Sequence, residues 1–314
     1  MIDKKRAIID LGTNTFHLLI AGRKGDGYKI VARERAAVKI GVGGINQDII
    51  REEAIDRAVK ALQSFRVVTD KHAIPPSRIF AFGTSAFRNA KNSDDVVQRI
   101  KTGSDIDVTI ISGDREAEFI YMGVRAAVNL GNDPSLIIDI GGGSVEFIIA
   151  NAHDIFWKGS FEIGGQRLLE KFQKHDPISP AEIIELNQYM ENSLEELILN
   201  LKKFNPTTMV GSSGTFDTLS EIYCVRHNIQ YEEANPETPL TIESFFTIYQ
   251  ELISKNRAER LAIPGMIEMR VDMIVVACCL IRFLLEKHSF GAIRVSTYSL
   301  KEGVLASFTP PRPS

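Results

Sequence analysis

The strongest constraint on the fold is a segment that occurs twice. Residues 8–21 read IIDLGTNTFHLLIA and residues 137–150 read IIDIGGGSVEFIIA, so six of the fourteen positions are identical without a gap. The two copies are offset by 129 residues, which is the length of a domain rather than the period of a solenoid. The repeat therefore predicts two related domains.

Each copy predicts a β-hairpin. An apolar run ends in an aspartate, Asp10 or Asp139, a turn of small residues follows, and a second apolar run begins. The alternative to a functional motif is a pair of ordinary hairpins that use Asp and Gly as turn formers.

The two turns also predict phosphate binding. Glycine lets backbone N–H groups come close to a ligand, and Ser, Thr and Asn add donors at little steric cost. Backbone turns of this kind bind phosphate oxygens, and an aspartate beside them is placed to hold Mg²⁺ directly or through water. The predicted phosphate-binding residues are Thr13, Asn14, Thr15, Gly141, Gly142, Gly143 and Ser144.

Both halves predict a three-stranded meander followed by alternating strands and helices. Two such domains would face each other across a cleft lined by the two turns. In the second half, the periodicity predicts continuous helices over 180–204 and 265–287. The polar stretch Gln230–Pro239 predicts a mobile loop, and the tail from Thr309 is expected to be loose.

Composition narrows the class of protein. The net charge of −3 provides no global basic field that would attract nucleic acid. The longest apolar run, Met273–Leu280, is too short to span a bilayer, and the N-terminal residues lack the pattern of a signal peptide. Cys224, Cys278 and Cys279 have neither disulfide nor zinc spacing. We therefore expect a cytoplasmic protein with buried thiols, acting without nucleic acid or membrane.

Glu116 is a candidate catalytic residue. The predicted helix over 113–129 has an apolar face, and Glu116 lies on that face one turn before Ile120. A carboxylate there could orient or deprotonate a water molecule for attack on phosphorus. The alternative is an acid that complements the helix dipole, which Asp114 would do equally well.

Glu146 and Arg88 are the other candidate catalytic residues. Glu146 lies two residues after Ser144 on a strand, so both side chains point to the same face, and it could hold Mg²⁺ with Asp139 or position water. Its counterpart in the first copy is His17. Arg88 could clamp phosphate with planar, bidentate donors. An exposed glutamate and a surface arginine are the alternatives.

A helix is predicted to begin near Ser213 and Gly214, after a short strand. A helix N-terminus with small hydroxyl residues is an anion or nucleotide site, and it is also an ordinary N-cap. The residues alone leave both possibilities open.

Six segments follow one another in an order typical of one family: 10–17, 83–88, 111–117, 138–146, 210–215 and 301–304. With them the chain resembles the exopolyphosphatase and guanosine pentaphosphate phosphohydrolase family of the actin/Hsp70/sugar-kinase superfamily. The resemblance implies an α/β fold with two ribonuclease-H-like (actin-like ATPase) domains and an interdomain cleft. It implies a first domain of residues 1–131 plus about 298–314, a second of 132–297, and no long C-terminal extension.

The same resemblance implies roles for individual residues. Glu116 matches the proposed catalytic glutamate of the family, Glu146 matches an acidic position, and Arg270 matches an arginine that we take as a phosphate contact. Glu118 and Thr297 depart from the frequent arginine and aspartate at their positions, so the preferred substrate is left open. Related proteins suggest a homodimer.

Together these observations predict a hydrolase that uses Mg²⁺, held by Asp10, Asp139 and Glu146, to release phosphate from inorganic polyphosphate or guanosine pentaphosphate (pppGpp). Guanosine tetraphosphate is a further possible ligand. Two alternatives are a non-hydrolytic polyphosphate or nucleotide sensor and an ATP-dependent small-molecule kinase. The kinase would need an acceptor pocket with an aspartate base, which the sequence does not reveal.

Overall fold

The computed structural model describes residues 3–25, 27–230 and 235–308. It contains two compact units: unit 1 is the described part of Met1–Met122 and Leu300–Ser314, and unit 2 is that of Gly123–Ser299. The tail from Thr309, and residues 231–234 of the predicted mobile loop, lie outside the described residues.

Eleven strands and twelve α-helices are defined within the described residues. The first part of unit 1 contains β1 (Asp3–Leu11), β2 (Thr15–Lys24), β3 (Gly27–Ala37), α1 (Glu52–Lys71), β4 (Ile79–Gly83), α2 (Ser85–Asn89), α3 (Ser93–Ser104), β5 (Val108–Ile110) and the start of α4 (Gly113–Ala127). The last residues of α4, from Gly123, are assigned to unit 2. Unit 2 contains β6 (Ser135–Ile140), β7 (Val145–Ala150), β8 (Ile155–Phe161), α5 (Gly165–Phe172), α6 (Pro180–Ser193), α7 (Glu195–Phe204), β9 (Thr208–Ser212), α8 (Ser213–Arg226), β10 (Glu237–Thr238), α9 (Ile242–Ser254), α10 (Arg257–Leu261), α11 (Ile274–Lys287) and β11 (Ala292–Ser296). The chain then enters α12 (Leu300–Ser307), which belongs to unit 1.

Unit 1 is built on a five-stranded mixed sheet in the order β3-β2-β1-β4-β5. The first three strands form an antiparallel meander, and β4 and β5 continue the sheet parallel to β1. Its core includes an apolar stripe of α1, in which Ala54, Ala58, Leu62 and Phe65 are buried.

Unit 2 repeats this strand order as β8-β7-β6-β9-β11, and β10 adds an antiparallel edge strand beyond β11. Every residue of β6 and β7 is buried, which explains why their sequences are continuous apolar runs rather than alternating patterns. Two mixed sheets with the same order confirm the predicted fold class, α/β with two ribonuclease-H-like units.

Two predicted helices differ from the structure. The helix over 180–204 is interrupted at Leu194, whose ψ of 18° ends α6 before α7 begins. The helix over 265–287 begins only at Ile274, because Gly265 takes a φ of +89° and a 3₁₀ turn, Glu268–Arg270, precedes it. Both predictions of one continuous helix were therefore wrong.

The end of the predicted mobile loop is part of the sheet. Glu237 and Thr238 form β10, and the carboxylate of Glu237 accepts hydrogen bonds of 2.7 Å from Arg294 on β11. Thr297, one of the two departures from the family pattern, fixes the same segment by donating its hydroxyl to the Asn235 carbonyl at 2.7 Å. The prediction of mobility was wrong for this described part.

The apolar run Met273–Leu280 lies in the core of unit 2. All three cysteines are buried, and burial raises the pKa of the Cys278 thiol well above its ordinary value. Within the described ranges, no helix combines the length and apolar character needed to cross a bilayer.

Candidate active site

The carboxyl ends of parallel strands bring the candidate residues of unit 1 to one edge of its sheet. Leu11 at the end of β1 pairs with Gly83 at the end of β4, and β5 continues the same row. The segments that leave this edge are the first phosphate loop (residues 12–15), α2 with Arg88, and α4 with Glu116. Ligands of open α/β sheets bind at such an edge.

The carbonyl groups of the first loop are bound by the segment that follows β3. The N–H of Lys39 donates to the Asn14 carbonyl at 2.8 Å, and that of Gly41 donates to the Thr13 carbonyl at 3.1 Å. The C=O and N–H of a trans peptide unit point in opposite directions. The N–H groups of Asn14 and Thr15 therefore point away from this segment, as in an anion-binding turn.

The second loop (residues 141–144) is supported in the same way by the N-terminus of α5. The carbonyls of its three glycines accept N–H groups at the start of that helix, so the N–H groups of the next residues point away from α5. The bonds run from Gly165 to Gly141 at 2.8 Å, from Gln166 to Gly142 at 2.8 Å and from Gly164 to Gly143 at 3.0 Å.

Both loops require glycine at the same position. A Cβ on Gly12 would lie 2.9 Å from the Thr15 carbonyl oxygen, and a Cβ on Gly141 would lie 2.9 Å from the Ser144 carbonyl oxygen. The duplicated glycine is thus explained by a duplicated close approach of the backbone. The two turns share a geometry as well as a sequence pattern.

Glu116 and Arg88 lie in direct contact. The Arg88 guanidinium donates to the Glu116 carboxylate at 2.9 Å and to the Ile111 carbonyl at 3.2 Å, while Glu116 is 7% exposed. The structure thus brings together two residues that were predicted independently as catalytic candidates. Arg88, which we expected to clamp substrate, holds the carboxylate in a fixed orientation here.

Asp139 and Glu146 face each other across β6 and β7. They are 6% and 1% exposed, so two carboxylates lie buried on neighbouring strands. Like charges directly opposite each other destabilise a sheet. Such a pair is favourable only where donors or a cation offset the negative charge.

Four hydroxyl groups donate to these two carboxylates. Ser144 and Ser160 each donate to Oε1 of Glu146 at 2.7 Å, while Ser212 donates to Oδ2 of Asp139 at 2.8 Å. Ser299 donates to the same Asp139 oxygen. The Ser144 hydroxyl proton, which we expected to meet phosphate, is directed at Glu146, so the main-chain N–H is the donor that Ser144 offers outward.

The sequence analysis missed Ser160, Ser212 and Ser299 as partners of the two acids. Ser212 is the register neighbour of Asp139 on β9, and Ser160 is that of Glu146 on β8. The signal was therefore available in principle from aligning the strands. Ser299, which follows β11 and lies 160 residues after Asp139, had no such signal.

The second predicted anion site of unit 2 combines Ser213, Gly214 and Arg270. Ser213 adopts a φ of +64°, which a non-glycine residue rarely takes. A Cβ on Gly214 would lie 2.1 Å from Nε of Arg270, so the guanidinium packs directly against this glycine. The structure thus places all three residues together at the N-terminus of α8.

The donor set of unit 2 fits a hard divalent cation. Two carboxylates and several hydroxyls offer only oxygen, the ligand type that Mg²⁺ prefers, and Mg²⁺ is commonly held by one or two carboxylates together with substrate phosphates. Within the described residues, no group of three or more His, Cys, Asp or Glu side chains is arranged to hold a metal. Asp10, the third predicted ligand, belongs to unit 1.

Comparisons with known proteins match this combination of fold and loops. A model of the Ppx/GppA phosphatase family matches residues 19–311. The chain is 46% identical to an exopolyphosphatase from Cytophaga hutchinsonii of known crystal structure, with a TM-score of 0.94 and 98% of each chain covered.

Two curated relatives are more distant. The chain is 28% identical to a Haemophilus influenzae protein provisionally named an exopolyphosphatase, over 96% of this chain and 90% of that protein. It is 29% identical to a guanosine-5′-triphosphate,3′-diphosphate pyrophosphatase from Pseudoalteromonas translucida, over 97% of this chain. It spans only 59% of that second relative's length.

The fold is an α/β fold of two units, each with a tight glycine turn between the first two strands of its meander. The chain belongs to the Ppx/GppA phosphatase family. This membership confirms the family that the sequence resembled and the predicted class of activity, a phosphohydrolase.

Proposed function

We propose that the protein releases the terminal phosphate of inorganic polyphosphate, of guanosine pentaphosphate, or of both. The observation that carries this proposal is the matched pair of loops, each with main-chain N–H groups turned away from the segment that supports it. The names of the relatives, an exopolyphosphatase and a guanosine pentaphosphate pyrophosphatase, agree in the class of bond cleaved.

The loops would hold the phosphoryl group that is transferred. Main-chain N–H groups are fixed donors that need no reorganisation when negative charge shifts in the transition state. Arg270, fixed against Gly214, would offset the charge of a further phosphate. The buried thiols offer no nucleophile, so we propose direct attack by water.

Glu116 would position the attacking water and accept its proton. The carboxylate is buried and oriented by Arg88 at 2.9 Å, as a general base must be. The attack is in line on the terminal phosphorus, and the shortened chain or nucleotide leaves with the bridging oxygen. Arg88 is a positioning residue in this scheme, and Glu116 is the catalytic one.

Asp139 and Glu146 would hold a Mg²⁺ ion, with Asp10 as the ligand that we assign in unit 1. The facing pair of buried carboxylates supports this assignment, since it needs positive charge nearby. When bound, the ion offsets charge on the phosphate oxygens and on the leaving oxygen.

The test compares phosphate release from long-chain polyphosphate and from guanosine pentaphosphate, side by side, with and without Mg²⁺. Glu116→Gln should lower kcat by about 10³-fold, since it removes the general base and keeps the shape of the side chain. Glu118→Gln is the matched control, because Glu118 lies on the same helix and pairs with Arg115 at 2.8 Å. Undiminished turnover of Glu116→Gln would discard the assignment.

Other outcomes would favour the alternatives. Tight binding of either ligand without turnover would identify a sensor, and a phosphorylated acceptor would identify a kinase.

We also propose that the protein is cytoplasmic and forms a homodimer. Light scattering would measure the oligomeric state. We assign the first loop and Glu116 to a domain of residues 1–131 plus about 298–314, and the second loop to 132–297.

A further inference from the structure

A strap (residues 38–51) connects β3 to α1 and passes directly over the first phosphate loop. Lys39 and Gly41 supply the N–H groups that bind the loop carbonyls. Side-chain hydrogen bonds also fix the backbone of the strap at both of its ends. Arg57 donates to the Val38 carbonyl at 2.7 Å, and Asn92 binds both the N–H and the C=O of Ile50 at 3.0 and 2.8 Å.

The strap touches the loop so closely that glycine is required. A Cβ on Gly41 would lie 2.5 Å from Cγ2 of Thr13 in the loop. Within the strap itself, a Cβ on Gly44 would lie 2.2 Å from the Ile49 carbonyl oxygen. Lys39 takes a φ of +50°, which is rare for a lysine. The strap is therefore a fixed extension of the phosphate loop.

Two basic residues, Lys39 and Arg51, belong to the strap, and two more, Arg57 and Lys91, lie beside it. The side chains of Arg51, Arg57 and Lys91 contact neutral groups of the strap. Arg57 also donates to the Lys39 carbonyl at 3.1 Å. Arg51 donates to the Gly43 carbonyl at 2.8 Å and to the Gln47 side chain. Lys91 approaches the Gln47 carbonyl at 3.5 Å.

The charge of these cations is not cancelled by ion pairs. Within the described residues, none of Lys39, Arg51, Arg57 and Lys91 forms a salt bridge with a carboxylate. Glu52, the acid at the end of the strap, is paired instead with Arg99 at 2.6 Å. Two of these four cations, Lys39 and Arg51, lie within the strap, which contains one acid, Asp48, so positive charge exceeds negative charge along this segment, although the whole chain carries a net charge of −3.

We infer that the strap is an additional anion subsite, which binds phosphate groups of a linear polyphosphate beyond the terminal one. The inference rests on the proposed function. It favours a linear polyanion because cations spread along a segment match charges that repeat along a chain. A nucleotide carries its charge in short clusters and would engage fewer of these side chains.

The test uses the full-length protein and the double variant Lys39→Gln/Lys91→Gln. These lysines are exposed, whereas Arg51 and Arg57 also fix the strap backbone and are left unchanged. Lys29→Gln/Lys60→Gln is the matched control, because it removes the same charge from exposed positions of unit 1 outside the strap.

We expect the loss to grow with substrate length. The strap variant should raise the KM for long-chain polyphosphate about tenfold with little change in kcat, and that for tripolyphosphate about twofold or less. The wild-type KM for long chains should also rise more steeply with salt than that of the variant. The control pair should raise the KM for both substrates by similar, small factors.

Direct binding separates this inference from the proposed function. If the wild type hydrolyses neither substrate, the proposed function fails, and the affinity of wild type and variant for long-chain polyphosphate still tests the strap. Equal losses for the strap pair and the control pair would overturn the inference. Equal losses for tripolyphosphate and long chains would also overturn it.

Discussion

The two phosphate loops have the same backbone geometry but different supports. In unit 1 an irregular strap binds the loop carbonyls, and in unit 2 the N-terminus of a helix does so. In both units the supporting segment is the one that follows the third strand of the meander. The common requirement is thus a set of N–H donors behind the loop, and two different local structures can meet it.

The side chains beside the loops differ much more than the backbone does. In unit 1 the cross-strand row is Asp10, His17 and Arg35, in which one acid is followed by two residues that can carry positive charge. The equivalent row in unit 2 is Asp139, Glu146 and Ser160, in which two acids are flanked by a hydroxyl. On the proposed function, this difference supports assigning two of the three Mg²⁺ ligands to unit 2 and one, Asp10, to unit 1, while the proposed base Glu116 and the basic strap belong to unit 1.

The largest difference in kcat/KM is expected between substitutions of the central residue of each row, Glu146 in unit 2 and His17 in unit 1. Glu146→Gln should lower kcat/KM by about 10²- to 10³-fold, because it removes a buried charge that we assign to the metal. His17→Gln should cost tenfold or less, on the order of a single peripheral contact. Steady-state kinetics would measure both, and Mn²⁺ binding followed by electron paramagnetic resonance should weaken only in Glu146→Gln. Equal losses in the two variants would remove the asymmetry.

The two supporting segments can be compared by replacing one glycine in each with alanine, Gly164 in unit 2 and Gly41 in unit 1. A Cβ on Gly164 would lie 2.5 Å from backbone atoms of Gly142 and Gly143, which cannot move without shifting the loop. Gly164→Ala should therefore reduce kcat/KM about 100-fold, as expected when reacting groups are displaced.

Gly41→Ala meets a side-chain methyl instead, that of Thr13 at 2.5 Å. We expect a loss of about tenfold, since a methyl group is displaced more easily than backbone. The additional change Thr13→Ser removes that methyl and should restore much of the activity. Failure of this rescue would show that the strap does not act through the loop.

Ser160 tests the role of the hydroxyls in unit 2. Ser160→Ala should lower kcat/KM and Mn²⁺ affinity about tenfold, because Glu146 loses one of the two hydroxyls that orient Oε1. Ser160→Thr, which keeps the hydroxyl, should restore metal binding. Loss of stability with unchanged metal affinity would instead indicate a purely structural serine.

The two units are also expected to differ in acid stability, an effect on folding rather than on catalysis. Burial would raise the pKa of Glu182, but backbone N–H groups of Ser179 and Lys174 outweigh it and lower the pKa to about 2. The resulting stability of unit 2 is present above the ordinary pKa of a glutamate and is lost as the pH falls toward 2. It should be on the order of 3 kcal/mol.

Hydrogen exchange of α6 in unit 2 and of α1 in unit 1 would measure this difference. Between about pH 5 and pH 3, protection of α6 should fall more in the wild type than in Glu182→Gln. Protection of α1 should be the same in both proteins. Parallel loss in both units would assign acid sensitivity to other groups.

The sequence was sufficient to predict what depends on local pattern. The duplicated hairpins, the two mixed sheets and the position of Glu116 on the apolar face of α4 follow from apolar periodicity and turn chemistry. The contact between Arg88 and Glu116 was not predicted, although both residues were candidates, because it depends on the parallel pairing of β4 with β5.

Contacts between distant segments could not be read from the pattern. Three of the four hydroxyls around Asp139 and Glu146 come from β8, β9 and the segment after β11, so finding them requires the strand register and the tertiary fold. The break at Leu194 interrupts a run of buried residues at helical spacing, and this periodicity alone favours one helix. The segment that begins at Glu237 forms a strand because it pairs with β11.

Isotope labelling tests the central claim that water attacks the terminal phosphorus. The enzyme would hydrolyse polyphosphate in water enriched in oxygen-18, and the released phosphate and the remaining chain would be analysed separately by mass spectrometry. The account predicts one solvent oxygen in each released phosphate, with no label in the shortened chain. Label in the chain end, or phosphate without label, would contradict it.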